Sequence, residues 1–310
     1  MNVEPEKLCI SCMRPIPAGS EEKCPLCGFR ISSYRPEDGQ LEPDTLFESR
    51  YHVGAAYLTD GMFTSYSAYD KIMNRRVLLR VYSDIDEGYE RFSRRGRFLD
   101  TYKRLAVMGM VSFPTVYTCR TCGQGAYAVC EYVSESTLSQ EIAKTGRMDF
   151  EGAKSLLLPV IVTLKLMHDE RLVHGCVCAE AVRRKDKTMV LCDASGSAGD
   201  KFAADDVKDF LRLLVGVMYG SRTPVPTEFI AGAFSKANEL SLPPDALECI
   251  TAAFDPSGIE ITSDYVLRKL YHCGEIALGV KKTPPKPPES VLSFAVSEGV
   301  KVKGLITSLS

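Results

Sequence analysis

Neither sign of charge is in excess in this sequence: 38 lysines and arginines stand against 40 aspartates and glutamates, a formal net charge of −2. That balance excludes a molecule-wide field that would gather nucleic acid or an anionic membrane, so any such binding would need a local patch. Long apolar runs are lacking too. The richest, Leu156 to Met167, contains Lys165 and falls short of the ~20 residues that span a bilayer, so it reads as a buried helix. Met1 to Lys7 include Glu4, Pro5, Glu6 and Lys7 and have no apolar core like that of a signal peptide. No internal repeat is visible. These absences set the expectations of a cytoplasmic protein with no membrane insertion.

Cysteine, by contrast, is abundant, with 12 residues in the chain. Four of them form two C-x2-C pairs, Cys9-Ile10-Ser11-Cys12 and Cys24-Pro25-Leu26-Cys27, the second followed by Gly28. Two intervening residues let both thiolates of a knuckle turn toward one ion, and Gly28 supplies the backbone freedom where the chain bends around it. Two such knuckles complete a closed site of four thiolates, in which zinc would be structural and would supply most of the module's folding free energy. The alternatives are two disulfides or four free thiols. The stretch resembles a zinc ribbon. Its only basic residues are Lys7, Arg14, Lys23 and Arg30, which favours a protein partner over nucleic acid.

Composition divides the chain into a ribbon (1–32), a polar linker (33–43), a globular domain (44–277), a Pro-rich linker (278–290) and a tail (291–310) whose Val300 to Lys303 alternates like an edge strand. Lys281 to Pro288 reads as an extended spacer, or as a ligand for a proline-binding domain. Within the globular part, short β-like runs such as Arg76 to Tyr82 come first. Helical patterns such as Asp149 to Met167 and Asp205 to Tyr219 follow. Strands followed by helices predict an α+β, two-lobed arrangement.

From Tyr51 to Leu270 the order of motifs resembles bacterial serine/threonine protein kinases. Tyr51 to Asp70 follows the opening hairpin of that family, Val77-Leu78-Leu79-Arg80 stands where it has V-A-I-K, and Ala126 to Val133 leads into the hinge. His174-Gly175-Cys176 falls in place of H-R-D, Val190 to Ser195 in place of the D-F-G strand, and Asp206 to Gly220 along the long helix of the second lobe; Asp255-Pro256 resembles the late turn. The resemblance implies a protein-kinase-like fold with a β-rich N-lobe and a shortened α-helical C-lobe, preceded by the small ribbon.

The residues that phosphoryl transfer needs are mostly replaced. The three glycine positions of G-x-G-x-x-G hold Leu58, Asp60 and Phe63. The lysine position holds Arg80, and its glutamate partner, on a helix from Glu90 to Leu99, falls on Arg95. Cys176 stands for the catalytic aspartate and Ala181 for the metal-binding asparagine, while Asp193 alone survives. About a dozen residues separate Asp193 from Asp206, with no A-P-E, and Ile259 stands near the arginine that would pair with it. The expectation is therefore a pseudokinase acting as a zinc-stabilised scaffold or regulatory binding protein for a protein partner. Two alternatives stay open: a nucleotide or small-molecule sensor in which Arg80 and Asp193 keep residual ATP and Mg²⁺ contacts, and a divergent kinase with weak phosphotransfer.

Three further features are weighed in the sequence. Cys176 and Cys178 read as small, partly buried hydrophobes rather than a reactive pair, and His174 as a structural histidine bonded to the loop backbone. Cys119-x2-Cys122 is expected in a turn between two strands, as free thiols or as half a metal knuckle with Cys130 nearby. Arg91, Arg94, Arg95 and Arg97 form a solvated helix face or a docking surface for an acidic partner.

Overall fold

In strands the side chains alternate between two faces, and the computed structural model of the chain shows what that alternation achieves here. It describes residues 7–20, 22–83, 88–123, 125–133, 136–221, 225, 242–255 and 261–272. The expectations for Pro256, Ile259, the Pro-rich linker and the tail lie outside the described residues. Strands β1 (Leu46–Phe47), β2 (Tyr51–Asp60), β3 (Phe63–Asp70), β4 (Arg75–Ser83), β5 (Val116–Cys122) and β6 (Gly125–Glu131) form one antiparallel sheet in the order β1-β2-β3-β4-β6-β5. On β4, Val77, Leu79 and Val81 join Tyr51, Val53, Tyr66, Tyr127 and Val129 on the outer face. Leu78 and Tyr82 point the other way, into a core shared with α1 (Gly88–Met108). Arg80 has the same parity as those two and so faces inward, opposite Ser65 of β3 and Ala128 of β6.

The α1 helix presents Phe98 and Tyr102 to this sheet, where Phe63, Tyr82, Phe98 and Tyr102 make a chain of ring contacts 4.9 to 6.0 Å between centroids. Such aromatic pairs add to the area they bury. The helix is longer than the predicted Glu90 to Leu99.

The helical half comprises α2 (Leu138–Thr145), α3 (Phe150–Asp169), α4 (Ala203–Tyr219), α5 (Pro244–Phe254) and α6 (Ser263–Tyr271). A small hairpin of β7 (Val182–Lys185) and β8 (Thr188–Leu191) adjoins them. Helix α2 opens on a capping box, in which the Gln140 amide donates to Thr137 Oγ1 and the Thr137 amide to Gln140 Oε1. Asp149 caps α3 by accepting from the Gly152 amide. The C-terminal half of helix α4 is apolar nearly all round, with Phe210, Leu211 and every residue from Leu213 to Met218 buried, which is the pattern of a core helix. Among the described residues no helix is long and apolar enough to cross a membrane.

Candidate functional site

The first candidate is built by two backbone turns. The Met13 amide donates to the Cys9 carbonyl at 2.8 Å, and the Gly28 amide to the Cys24 carbonyl at 2.9 Å, closing equivalent turns around each cysteine pair. The left-handed backbone expected at Gly28 (φ +75°) recurs at Met13 (φ +53°). There a large side chain accepts the strained conformation, and the reason is packing: Met13 is among the largest fully buried side chains. The turns gather the four sulfurs within 4.8 Å of one another. Cys9 Sγ lies 3.7 Å from Cys27 Sγ, and Cys12 Sγ 3.9 Å from Cys24 Sγ. Disulfides would need about 2.05 Å. A tetrahedral ion with metal–sulfur bonds of about 2.3 Å sets sulfurs about 3.8 Å apart. The residues present therefore fit a metal ion, and the all-thiolate donor set is compatible with zinc.

The second candidate is the cleft between sheet and helices. Asp193, two residues past the end of β8, adopts a left-handed backbone (φ +65°) and is buried at 6% exposure. Its Oδ1 accepts hydrogen bonds from the Tyr57 hydroxyl at 2.8 Å and the Ser65 hydroxyl at 2.7 Å. Arg80, 2% exposed, donates from Nη1 to Ser65 Oγ at 3.0 Å and from Nη2 to Ser195 Oγ at 2.7 Å. Ser65 thus links the guanidinium to the carboxylate. Burial and the neighbouring Asp193 charge push the Tyr57 phenol well above its ordinary range, which keeps its proton on and its donor role fixed. The Arg183 guanidinium, itself 2% exposed, stacks 4.0 Å over the Tyr57 ring. Among the described residues Asp193 Oδ2 has no hydrogen-bond partner, although it is buried.

The loop beneath is rigidly anchored. Both oxygens of the fully buried Asp206 accept backbone amides, from His174 at 2.7 Å and Gly175 at 2.8 Å. His174 accepts the Cys176 amide on Nδ1 at 3.2 Å, and burial lowers its pKa to about 4, so it is neutral. This is the structural histidine the sequence suggests. Cys176 is 4% exposed, and Ala181 is fully buried and apolar. A cavity of about 300 Å³ lies below the β2–β3 hairpin, between Leu58 and Asp60 above and Asp209 and Leu213 of α4 below, with Cys176 and Cys178 on its wall.

Two expectations need correction. Arg95 does not face Arg80; its guanidinium lies 5.7 Å over the exposed Phe92 ring. Arg94 and Arg97 instead reach Asp200, at 2.5 and 3.3 Å, pinning α1 to the turn of 3-10 helix at Gly196–Gly199. Cys119 and Cys122 do not sit in a turn but within β5. Three residues apart on a strand, they point to opposite faces, Cys119 into the inner core and Cys122 into the outer one. Among the described residues only the four ribbon cysteines cluster closely enough for a metal.

A curled antiparallel sheet over a helical half, with the polar pair Arg80 and Asp193 between them, is the fold of a protein kinase domain. The solved kinase domain of PknI from Mycobacterium tuberculosis superposes over 76% of this chain and all of its own, with a TM-score of 0.54 and 13% sequence identity. In sequence, the chain is 28% identical over 152 residues to the serine/threonine-protein kinase PknL of Mycobacterium tuberculosis and, equally, of Mycobacterium bovis. That match takes in 48% of this chain and only 38% of the length of those relatives. No protein-family model matches the chain.

Proposed function

We propose that this protein is a pseudokinase, a kinase fold without phosphotransfer, serving as a zinc-stabilised scaffold for a protein partner in the cytoplasm. The observation that carries the reading is that most of the cleft's polar groups are taken up by its own side chains. Asp193 spends one oxygen on Tyr57 and Ser65, and Arg80 spends its terminal nitrogens on Ser65 and Ser195. Cys176, with its proton held on by the hydrogen bond with Cys178 and by burial, offers no general base, and Ala181 offers no ligand atom. In the ribbon Cys9, Cys12, Cys24 and Cys27 would hold the ion in a closed shell, where it contributes folding and no chemistry.

A second reading has one observation in its favour. The unpartnered Asp193 Oδ2 is an acceptor that a cation or a ligand donor would satisfy, so a sensor working through Arg80 and Asp193 is the alternative. Thermal unfolding of the zinc-loaded chain, with and without millimolar ATP and Mg²⁺, separates the two. The scaffold reading expects a change of less than about 1 °C, because a ligand that does not bind cannot stabilise. A clear rise abolished by Asp193→Ala makes the chain a sensor. Phosphate transfer from ATP that is lost in the same variant makes it a kinase.

A further inference from the structure

The ribbon and the segment behind it grip β2 at three successive residues, and the residue after them is Tyr57. At Gly54, a Cβ would lie 2.2 Å from the Ile10 carbonyl oxygen and 2.7 Å from Met13 Sδ, so the ribbon backbone rests directly on the strand. The Ala55 amide donates to the Ile10 carbonyl at 2.6 Å. The Ala56 amide donates to the Tyr34 hydroxyl at 2.9 Å. Two consecutive amides of β2 thus point out of the sheet to the N-terminal segment. The pairing of β2 with β3 shifts register at the same place, between Val53 and Ala56 and again between Ala56 and Leu58. Bulges of this kind re-aim the next side chains. Here the re-aimed side chain is Tyr57, which bonds Asp193 and carries the Arg183 stack.

Ile10 and Met13 are not independent of the metal site. Ile10 lies inside the first C-x2-C pair, and Met13 closes its turn onto the Cys9 carbonyl. With four thiols and no ion, these turns keep their short backbone hydrogen bonds but only a small apolar cluster of Ile16, Phe29 and Ile31 beside the cysteines, and modules of this size depend on their metal to fold. We propose that the metal state of the ribbon sets the closure of the cleft. With metal bound, Ile10 and Tyr34 hold the β2 bulge open and aim Tyr57 at Asp193. With metal removed, the bulge relaxes into regular pairing, Tyr57 withdraws, and Asp193 and Arg80 become reachable. The cleft is then a site whose access is governed by zinc availability. The inference rests on the ribbon's holding a metal, which the test measures separately.

Hydrogen exchange read by mass spectrometry on the full chain, zinc-loaded and chelator-stripped, tests it with metal content measured on the same samples. The expected result is exchange at least about tenfold faster over 7–32 and also over 51–60 and 190–196, with 157–167 and 207–218 unchanged. Loss of protection confined to 7–32, or equal loss along the whole chain, overturns the proposal. Gly54→Ala separates docking from metal binding while all four thiols remain: its Cβ would meet the Ile10 carbonyl oxygen at 2.2 Å and, less tightly, the Ser67 carbonyl oxygen of β3 at 2.7 Å, so exchange over 63–70 is read beside it to exclude a merely disturbed β2–β3 pairing. Faster exchange over 51–60 and 190–196 at one zinc per chain supports the coupling, and unchanged protection at one zinc per chain overturns it. Tyr34→Phe, which deletes only the hydroxyl that holds Ala56, is expected to give a smaller change of the same pattern; full protection in that variant removes the linker from the mechanism. A chain that takes up no zinc overturns the premise rather than the coupling.

Discussion

The ribbon and the cleft are two polar sites in one molecule, and they have taken opposite courses. In the ribbon every donor that a tetrahedral ion requires is present, and the four sulfurs are directed at a common centre rather than paired off. In the cleft the surviving polar groups are directed at one another. Tyr57, Asp193, Ser65, Arg80 and Ser195 form one continuous chain of internal hydrogen bonds, which occupies most of the polar groups an incoming ligand would use. A site kept for binding shows groups converging on a space. A site kept for structure shows groups converging on each other, because buried polar atoms cost free energy unless satisfied.

The sharpest way to break this contrast is to remove ribbon donors. Cys12→Ser with Cys24→Ser is expected to take metal content from one ion per chain to none, with loss of ribbon folding on the order of 10 kcal/mol, read by elemental analysis and by exchange over 7–32. If zinc persists at one per chain, the ribbon is not the metal site. Next in size is the cleft. Arg80→Met leaves Asp193 buried without its bridged cation and should lower the denaturant-measured unfolding free energy by about 3–5 kcal/mol. Adding Asp193→Asn should restore much of that loss, since the cost lies in the abandoned charge; no restoration would show that Arg80 acts by packing alone.

A pH titration probes the anchor beneath the cleft. His174 is neutral in the fold with its pKa lowered to about 4, against about 6.5 when unfolded. Between these values the unfolded chain takes up a proton that the folded chain refuses. Stability is therefore full above about 6.5 and falls as pH drops toward 4, by up to about 3 kcal/mol. His174→Gln should flatten that part of the wild-type pH profile; an unaltered slope would place the proton uptake elsewhere. The smallest effect belongs to the surface clamp. Asp200 is 55% exposed, so Asp200→Asn should cost less than about 1 kcal/mol in the same denaturant assay, and a larger loss would mean that α1 depends on that clamp for its placement.

Much of this was legible in the residues. The spacing of Cys9, Cys12, Cys24 and Cys27 encodes their convergence because a C-x2-C turn is a local structure. The alternation from Val77 to Tyr82 likewise puts Arg80 on the inner face. The closing of the cleft was not legible. Tyr57 to Asp193, Ser65 to Asp193 and Arg80 to Ser195 join residues 136, 128 and 115 positions apart, and serine and tyrosine are common enough in strands to attract no notice. Nor did Arg183 stand out, because it opens a charged run from Arg183 to Lys187 and only the fold shows that it is buried. Helix α1 misled for a different reason. The register that set Arg95 opposite Arg80 came from the family resemblance, and the four arginines, which share much of one helix face, carry no signal of which of them would turn inward. Cys119 and Cys122 misled because the spacing that brings thiols together in a turn sends them apart in a strand.

The short stretch after Asp193 has a consequence for how signals can reach this molecule. Gly196–Gly199 is committed to a helical turn and α4 begins at Ala203. Of the three residues between, Asp200 is held by Arg94 and Arg97, Lys201 reaches Asp209 at 3.1 Å, and the Phe202 amide donates to Asp205 at 2.9 Å. The chain has no slack there. A regulator that works by ordering a slack loop has nothing to grasp along that stretch, whereas the proposed coupling would act by displacing a whole body, the ribbon seated on β2.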